Sequence, residues 1–160
     1  MKPGTFTQLY THLVFAVKYR ERLLREEIQD EVFSYISGIV TNRKHKSIII
    51  NGMPDHIHLL IGLNPNDKIS DIVGCVKRDS SAFINQKGWF REKFHWQDGY
   101  GAFSYGRSQL DRIYKYIANQ KVHHQRRTFR QEYIGLLKKF EIAYDEKYLF
   151  NFFDETALTK

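Results

Sequence analysis

The run Pro54-Asp55-His56-Ile57-His58-Leu59-Leu60-Ile61-Gly62 carries the two residues whose types and spacing best suit chemistry. Successive side chains of an extended strand point to opposite faces, so His56 and His58 share one face while Ile57, Leu59 and Ile61 share the other. Such a strand can present two imidazoles while its back rests on a core, and neutral imidazole is a common ligand for divalent metals. The same spacing also fits two hydrogen-bonded histidines with no ligand role. A second group is Tyr114-Lys115-Tyr116-Ile117-Ala118-Asn119-Gln120. On a helix, residues four apart share a face, so Tyr116 and Gln120 are neighbours with Arg112 and His123 close by, whereas Tyr114 turns onto an apolar stripe. A polar Tyr, Gln and Arg face beside two imidazoles points to one joint site, although on spacing alone an ordinary amphipathic helix is the plainer account of Tyr116.

The elements that must position these groups follow from hydrophobic periodicity. Gln8 to Lys18 alternates, with Leu9, Thr11, Leu13, Phe15 and Val17 on one face and Tyr10, His12, Val14 and Ala16 on the other, as in a strand. A helix is expected from about Arg25 to Asn42, with Ile28, Val32, Tyr35, Ile36 and Ile39 as its stripe. The run Ser47 to Met53 and the His56 strand should form a hairpin about the Pro54-Asp55 turn. Ser70 is a candidate cap for a helix to about Lys87, and a further strand is expected near Gly101-Ala102-Phe103-Ser104. Strand, helix, strand, strand, helix, strand is the order of a split β-α-β, ferredoxin-like sandwich, an α+β fold whose antiparallel sheet carries both helices on one face. The His56 strand would then be central, with its imidazoles on the open side. Two C-terminal helices should follow, one from a Ser108 and Asp111 capping box to about His124. The other is capped by Thr128 and buries Phe129, Tyr133, Leu136, Leu137, Phe140 and Tyr144.

Composition narrows the function classes. A chain of 160 residues fits one domain, expected over residues 1–150 with a polar tail at 151–160. Lys plus Arg (25) exceed Asp plus Glu (18), a formal net charge of +7, which favours a polyanionic partner. The single cysteine, Cys75, can form no intrachain disulfide. The first residues lack an apolar signal core and no apolar run reaches membrane-spanning length, so a cytoplasmic location is expected.

Taken together, the segments from Thr7 to Phe15, Pro54 to Leu60, Lys77 to Ser81, Gly99 to Phe103 and Tyr116 to Gln120 resemble the single-tyrosine HUH transposases of the TnpA type. That family mobilises small bacterial insertion sequences and includes the REP-associated tyrosine transposases. The resemblance implies a nucleophile at Tyr116, metal ligands at His56 and His58, a third ligand at Gln120, and Mg²⁺ or Mn²⁺ as the cofactor. It implies cleavage and rejoining of single-stranded DNA with hairpin ends through a 5′-phosphotyrosine. It also implies a homodimer that can bring the tyrosine helix of one subunit to the histidines of the other. Phosphate contacts could come from Lys18, Arg20, Lys77, Arg78, Arg126, Arg127 and Arg130.

Two other classes remain to be weighed. A histidine-triad nucleotide hydrolase would need a third histidine where this chain has Leu60. A non-catalytic, ferredoxin-like nucleic-acid-binding module would need exposed aromatics on the third strand, where this one offers His56, His58 and Leu60.

Overall fold

The computed structural model describes residues 2–149, so the expected tail at 151–160 lies outside the described residues. The first elements are β1 (Tyr10–Ala16), α1 (Glu26–Asn42), β2 (Lys46–Met53), β3 (His56–Gly62), α2 (Ile69–Lys87) and β4 (Gly101–Tyr105). The strands pair antiparallel in the order β2-β3-β1-β4, which places β1 and β3 in the middle, as in a ferredoxin-like sandwich. Pro54 and Asp55 make the turn of the β2–β3 hairpin. A Cβ at Gly52 would come within 2.3 Å of the His56 carbonyl oxygen, so a larger residue there would push the hairpin open.

One sheet face is the core. Leu13 and Phe15 of β1 and Ile57, Leu59 and Ile61 of β3 are fully buried there with Val32 and Ile36 of α1 and Ile72 and Val76 of α2. Val32 and Ile36 stand one helical turn apart, as do Ile72 and Val76, which is how each helix lays one stripe on the sheet. Tyr35, expected in the α1 stripe, is partly exposed instead, and its ring stacks on Phe83 of α2 at 4.0 Å. The segment before β4 closes this layer, with Trp96 edge-on to Phe15 and its Nε1–H donating to Ser80 Oγ at 2.9 Å. Ser70 does not cap α2, because the helix begins at Ile69 and Ser70 lies inside its first turn.

The other face, expected to be open, is covered by α3 (Leu110–Ala118), α4 (Gln120–His123) and α5 (Phe129–Lys139). His12, His56, His58 and Leu60 are fully buried beneath them. No aromatic platform is therefore left on β3 for bases to stack on, which removes the surface that the plain binding-module reading requires. The single helix expected to His124 is interrupted at Asn119 (φ −99°, ψ 23°). No side chain caps α3; the Gly106 N–H donates instead to Gln109 Oε1, and Ser108 lies in a short 3₁₀ turn. The Thr128 cap does form, reciprocally with Gln131, and α5 buries Phe129, Tyr133, Leu136 and Leu137. Tyr144 lies beyond the end of α5 and is partly exposed, so it is not part of that stripe. No helix among the described residues is long and apolar enough to cross a membrane.

Candidate metal and nucleophile site

β3 sets His56 and His58 side by side, and neighbouring residues fix both rings. His56 Nδ1 lies 2.7 Å from Asp55 Oδ1, and Asp55 Oδ2 accepts from Arg20 Nε at 3.1 Å. Arg20 reaches this carboxylate from a strained turn in which both Tyr19 and Arg20 have positive φ. His58 Nδ1 lies 2.7 Å from Nε2 of His12 on β1, with the two rings stacked at 5.0 Å. Both Nδ1 atoms are thus engaged, and both Nε2 atoms turn toward the C-terminal helices.

There they meet Glu132 of α5, buried to 1% exposure. Glu132 Oε1 lies 2.9 Å from His58 Nε2, 3.4 Å from His56 Nε2 and 3.3 Å from His124 Nε2. Its Oε2 accepts from Gln120 Nε2 at 2.9 Å and, in a short hydrogen bond, from the Tyr116 hydroxyl. Gln120 Oε1 faces His56 Nε2 at 3.3 Å, so both ends of that amide are used. The end of α3 is held over β2 by Asn51 Nδ2, which donates to the carbonyls of Ile117 and Ala118.

The buried charges follow from these contacts. Burial opposes charge on His56, but hydrogen bonds to Asp55 and Glu132 prevail and raise it to about 9. Burial lowers His58 despite the nearby Glu132 charge, so this ring is neutral. Burial would raise Glu132, yet His58, His124 and His56 hold it well below the usual carboxylate range. Burial and then the Glu132 charge raise Tyr116, whose phenol keeps its proton.

The donor set fits a divalent cation. Candidate ligand atoms of His56, His58 and Glu132 lie within 4.8 Å of one another, and His58, Glu132, His56 and Gln120 follow at steps of 2.9, 3.4 and 3.3 Å. Adjacent ligands of an octahedral ion bound at about 2.1 Å stand about 3 Å apart. A cation would take the charge that the His56 proton carries beside Glu132. The neighbouring groups hold each ring at Nδ1 so that Nε2 faces inward, an arrangement common for metal-bound imidazoles.

The structure brings together His56, His58, Tyr116 and Gln120. Tyr114, expected on the apolar stripe, is instead 44% exposed, because α3 buries Ile113 and Ile117 and Tyr114 is one residue, about 100°, round from Ile113. Of the candidate phosphate contacts, Arg20, Arg126 and Arg127 gather near the site. Lys18 lies over the Tyr19 ring beside a separate pocket of about 460 Å³. Lys77 Nζ donates to the carbonyls of Gln97 and Gly99, Arg78 is paired with Asp79, and Arg130 with Glu146. Sequence reasoning missed Glu132, His12, His124 and the orienting role of Asp55. Glu132 did leave a signal: it falls three residues after Phe129 and four before Leu136, a carboxylate inside an apolar stripe.

Residues 5–120 match the family model described as Transposase IS200 like. The chain is 30% identical over 124 residues to the ISDra2 transposase TnpA of Deinococcus radiodurans, covering 73% of this chain and 87% of that protein. It is 27% identical over 114 residues to the transposase for insertion sequence element IS200 of Salmonella typhimurium, covering 68% and 74%. Among solved structures, a candidate transposase from Deinococcus radiodurans R1 is similar with a TM-score of 0.57 and 28% identity, over 75% of this chain and 96% of that one. The structure of a REP-associated tyrosine transposase bound to a REP hairpin shares the fold, with a TM-score of 0.57 and 15% identity over 78% and 74% of the two chains. The family match ends at Gln120, so α5 and Glu132 lie beyond it.

Proposed function

Because this chain belongs to the family of IS200-like transposases, we propose that it cuts and rejoins single-stranded DNA with Tyr116 as the nucleophile. One observation carries the reading: the Tyr116 hydroxyl and His58 Nε2 meet on the two oxygens of a single buried carboxylate, Glu132.

His56 Nε2, His58 Nε2, Gln120 Oε1 and Glu132 Oε1 would hold the divalent ion, Mg²⁺ or Mn²⁺, whose chemistry when bound is to polarise the scissile phosphate and stabilise charge in the transition state. Asp55 fixes the His56 ring by accepting at Nδ1, which leaves Nε2 facing the site. A phenol is a weak nucleophile while protonated, and Tyr116 is held protonated, so attack must be coupled to proton loss. As the phenol oxygen bonds to phosphorus, the bond from phosphorus to the 3′-oxygen breaks. One proton passes from the phenol to the departing oxygen, and Glu132 Oε2 is placed to carry it. The products are a covalent 5′-phosphotyrosine and a free 3′-hydroxyl. One phosphodiester replaces another, so the reverse step rejoins strands without ATP.

The substrate under this reading is single-stranded DNA with hairpin ends; the REP-associated tyrosine transposase that shares the fold is bound to a REP hairpin. Tyr116 already lies edge-on to His58, with ring centroids 6.0 Å apart, within one chain. This contact supports a site completed within one chain of a homodimer.

The test is incubation with labelled hairpin-bearing single strands and Mn²⁺, followed by boiling in detergent. A protein-linked label is expected from the wild type and from Tyr114→Phe, and none from Tyr116→Phe. Label mapped to Tyr114, or an undiminished adduct in Tyr116→Phe, would sink the assignment.

A further inference from the structure

Between the turn that follows β1 and the link from α4 to α5 runs a cleft of about 360 Å³, with Arg20, Arg22, Met53, Asp55, Arg126 and Arg127 among its walls. Four arginines face one carboxylate, Asp55, and that carboxylate already serves His56 and Arg20. Elsewhere on the described surface Arg43, Lys87 and Lys121 sit on acidic partners. Arg22 and Arg126 are exposed and make no ion pair among the described residues. Like charges gathered in a concave surface repel one another, and a polyanion offsets that cost.

The cleft adjoins the site. Its wall residue Phe129 stacks on His56 at 3.8 Å, and His124 reaches Glu132. Arg127 lies over the Tyr116 ring, with Nη2 3.5 Å from the hydroxyl. A strand whose scissile phosphate lies at Tyr116 would therefore pass its next nucleotide into the cleft. The volume falls in the range of pockets that take one small ligand, about 300–1,000 Å³, and is too small for a duplex. The guanidinium fork of arginine matches phosphate oxygens and also stacks on bases.

We propose that this cleft is a binding site for one nucleotide of unpaired DNA, flanking the scissile phosphate, with Arg22 and Arg126 on its phosphate and Arg127 spanning toward the nucleophile. His124 to Phe129, together with Gln131, build one wall, beyond the segment that matches the family. The assignment rests on the strand-transfer reading for where the scissile phosphate lies.

The experiment titrates fluorescein-labelled oligothymidylate, alone and annealed to oligoadenylate, with the full chain over a series of salt concentrations. Two double variants are compared: Arg22→Gln with Arg126→Gln, and, for equal charge loss at the two ends of α2, Lys68→Gln with Lys87→Gln. The cleft variant is expected to bind the single strand about tenfold or more weakly. Its salt slope should fall by about 1.4, the value for two lost single-strand phosphate contacts. The α2 variant should change little, and duplex binding should be less affected than single-strand binding. Equal loss in both variants, or an unchanged slope in the cleft variant, would overturn the site. Adduct formation is read separately. Selective loss of binding in a protein that labels no strand supports the cleft and removes the proposed chemistry, whereas full labelling with unchanged binding overturns the cleft alone.

Discussion

His58 Nε2 and Glu132 Oε1 lie 2.9 Å apart although 74 residues separate them in the chain. The contact joins a central strand to α5, and the second oxygen of the same carboxylate holds Tyr116. The proposed metal ligands, the proposed nucleophile and the docking of α5 on the sheet are thus coupled through one side chain.

Glu132→Gln keeps the shape of that side chain and removes its charge. Breaking one partner out of a buried ion pair costs about 3–5 kcal/mol, so the melting temperature should fall even without metal. Mn²⁺ affinity should also fall by at least about 10–100-fold, the loss typical of disturbing the groups around a metal ligand. Calorimetric titration with Mn²⁺ and thermal unfolding in chelator measure the two effects. Unchanged Mn²⁺ affinity would show that Glu132 holds the helix without serving the ion.

The pH dependence has a definite sign. His56 is raised from its ordinary 6.5 to about 9, so in metal-free protein its charged form contributes stability that is fully present below about 6.5 and lost as pH rises through about 9. Lys77 acts in the opposite sense, because burial lowers it to about 8 and its deprotonation relieves that cost as pH rises. Asp55→Asn also removes the Arg20 pair, so the His56 contribution is read from the pH-dependent part of the difference from wild type: the difference in melting temperature should shrink from pH 6.5 to 9. A divalent ion competes with the His56 proton, so apparent Mn²⁺ affinity should climb over the same range and level off above about 9. A flat affinity profile would rule out His56 as a ligand.

The sheet was legible because alternation on β1, the hairpin turn at Pro54 and Asp55 and the pairing of His56 with His58 on one face are local properties of the chain. The break at Asn119 was not legible, since helical periodicity runs through it from Tyr116 to His123. It coincides with a tertiary contact, in which Asn51 on β2 donates to the Ile117 and Ala118 carbonyls. Tyr114 and Tyr116 were distinguished by angle alone, and the polar side of α3 turned inward because the polar groups it meets come from β3 and α5. Glu132 interrupts an apolar stripe, and its partners His58, Gln120 and Tyr116 lie on other elements, so no local pattern names them.

His12 should tune the metal site without touching the ion. For His58 to offer the Nε2 lone pair, its proton must sit on Nδ1, where His12 Nε2 is 2.7 Å away as the acceptor. Burial and the adjacent His58 lower His12 well below its ordinary value, so it is neutral and able to accept. His12→Ala should weaken Mn²⁺ binding about 10–100-fold, while His12→Gln, which keeps an acceptor, should recover part of it. Leaving His58 Nδ1 without its partner should also cost about 1–3 kcal/mol in thermal unfolding. Equal Mn²⁺ affinity in both variants and the wild type would reduce His12 to a packing role.

Mixing two inactive variants tests where the site is assembled. Tyr116 donates to Glu132 and lies edge-on to His58 in the same chain, and Asn51 of that chain fastens the end of α3 to β2. A protein carrying Tyr116→Phe keeps the proposed ligands and lacks the proposed nucleophile; a protein carrying His56→Ala with His58→Ala keeps the proposed nucleophile and lacks those ligands. If each chain builds its own site, every subunit of a mixture remains incomplete and no covalent adduct should form, even after exchange of subunits has been verified with two affinity tags. If α3 passes to a partner, a mixed dimer contains one intact combination and adduct should return to a fraction of the wild-type level. The contacts within one chain favour the first outcome. Recovered adduct would mean that the Asn51 and Glu132 contacts are released and remade across an interface.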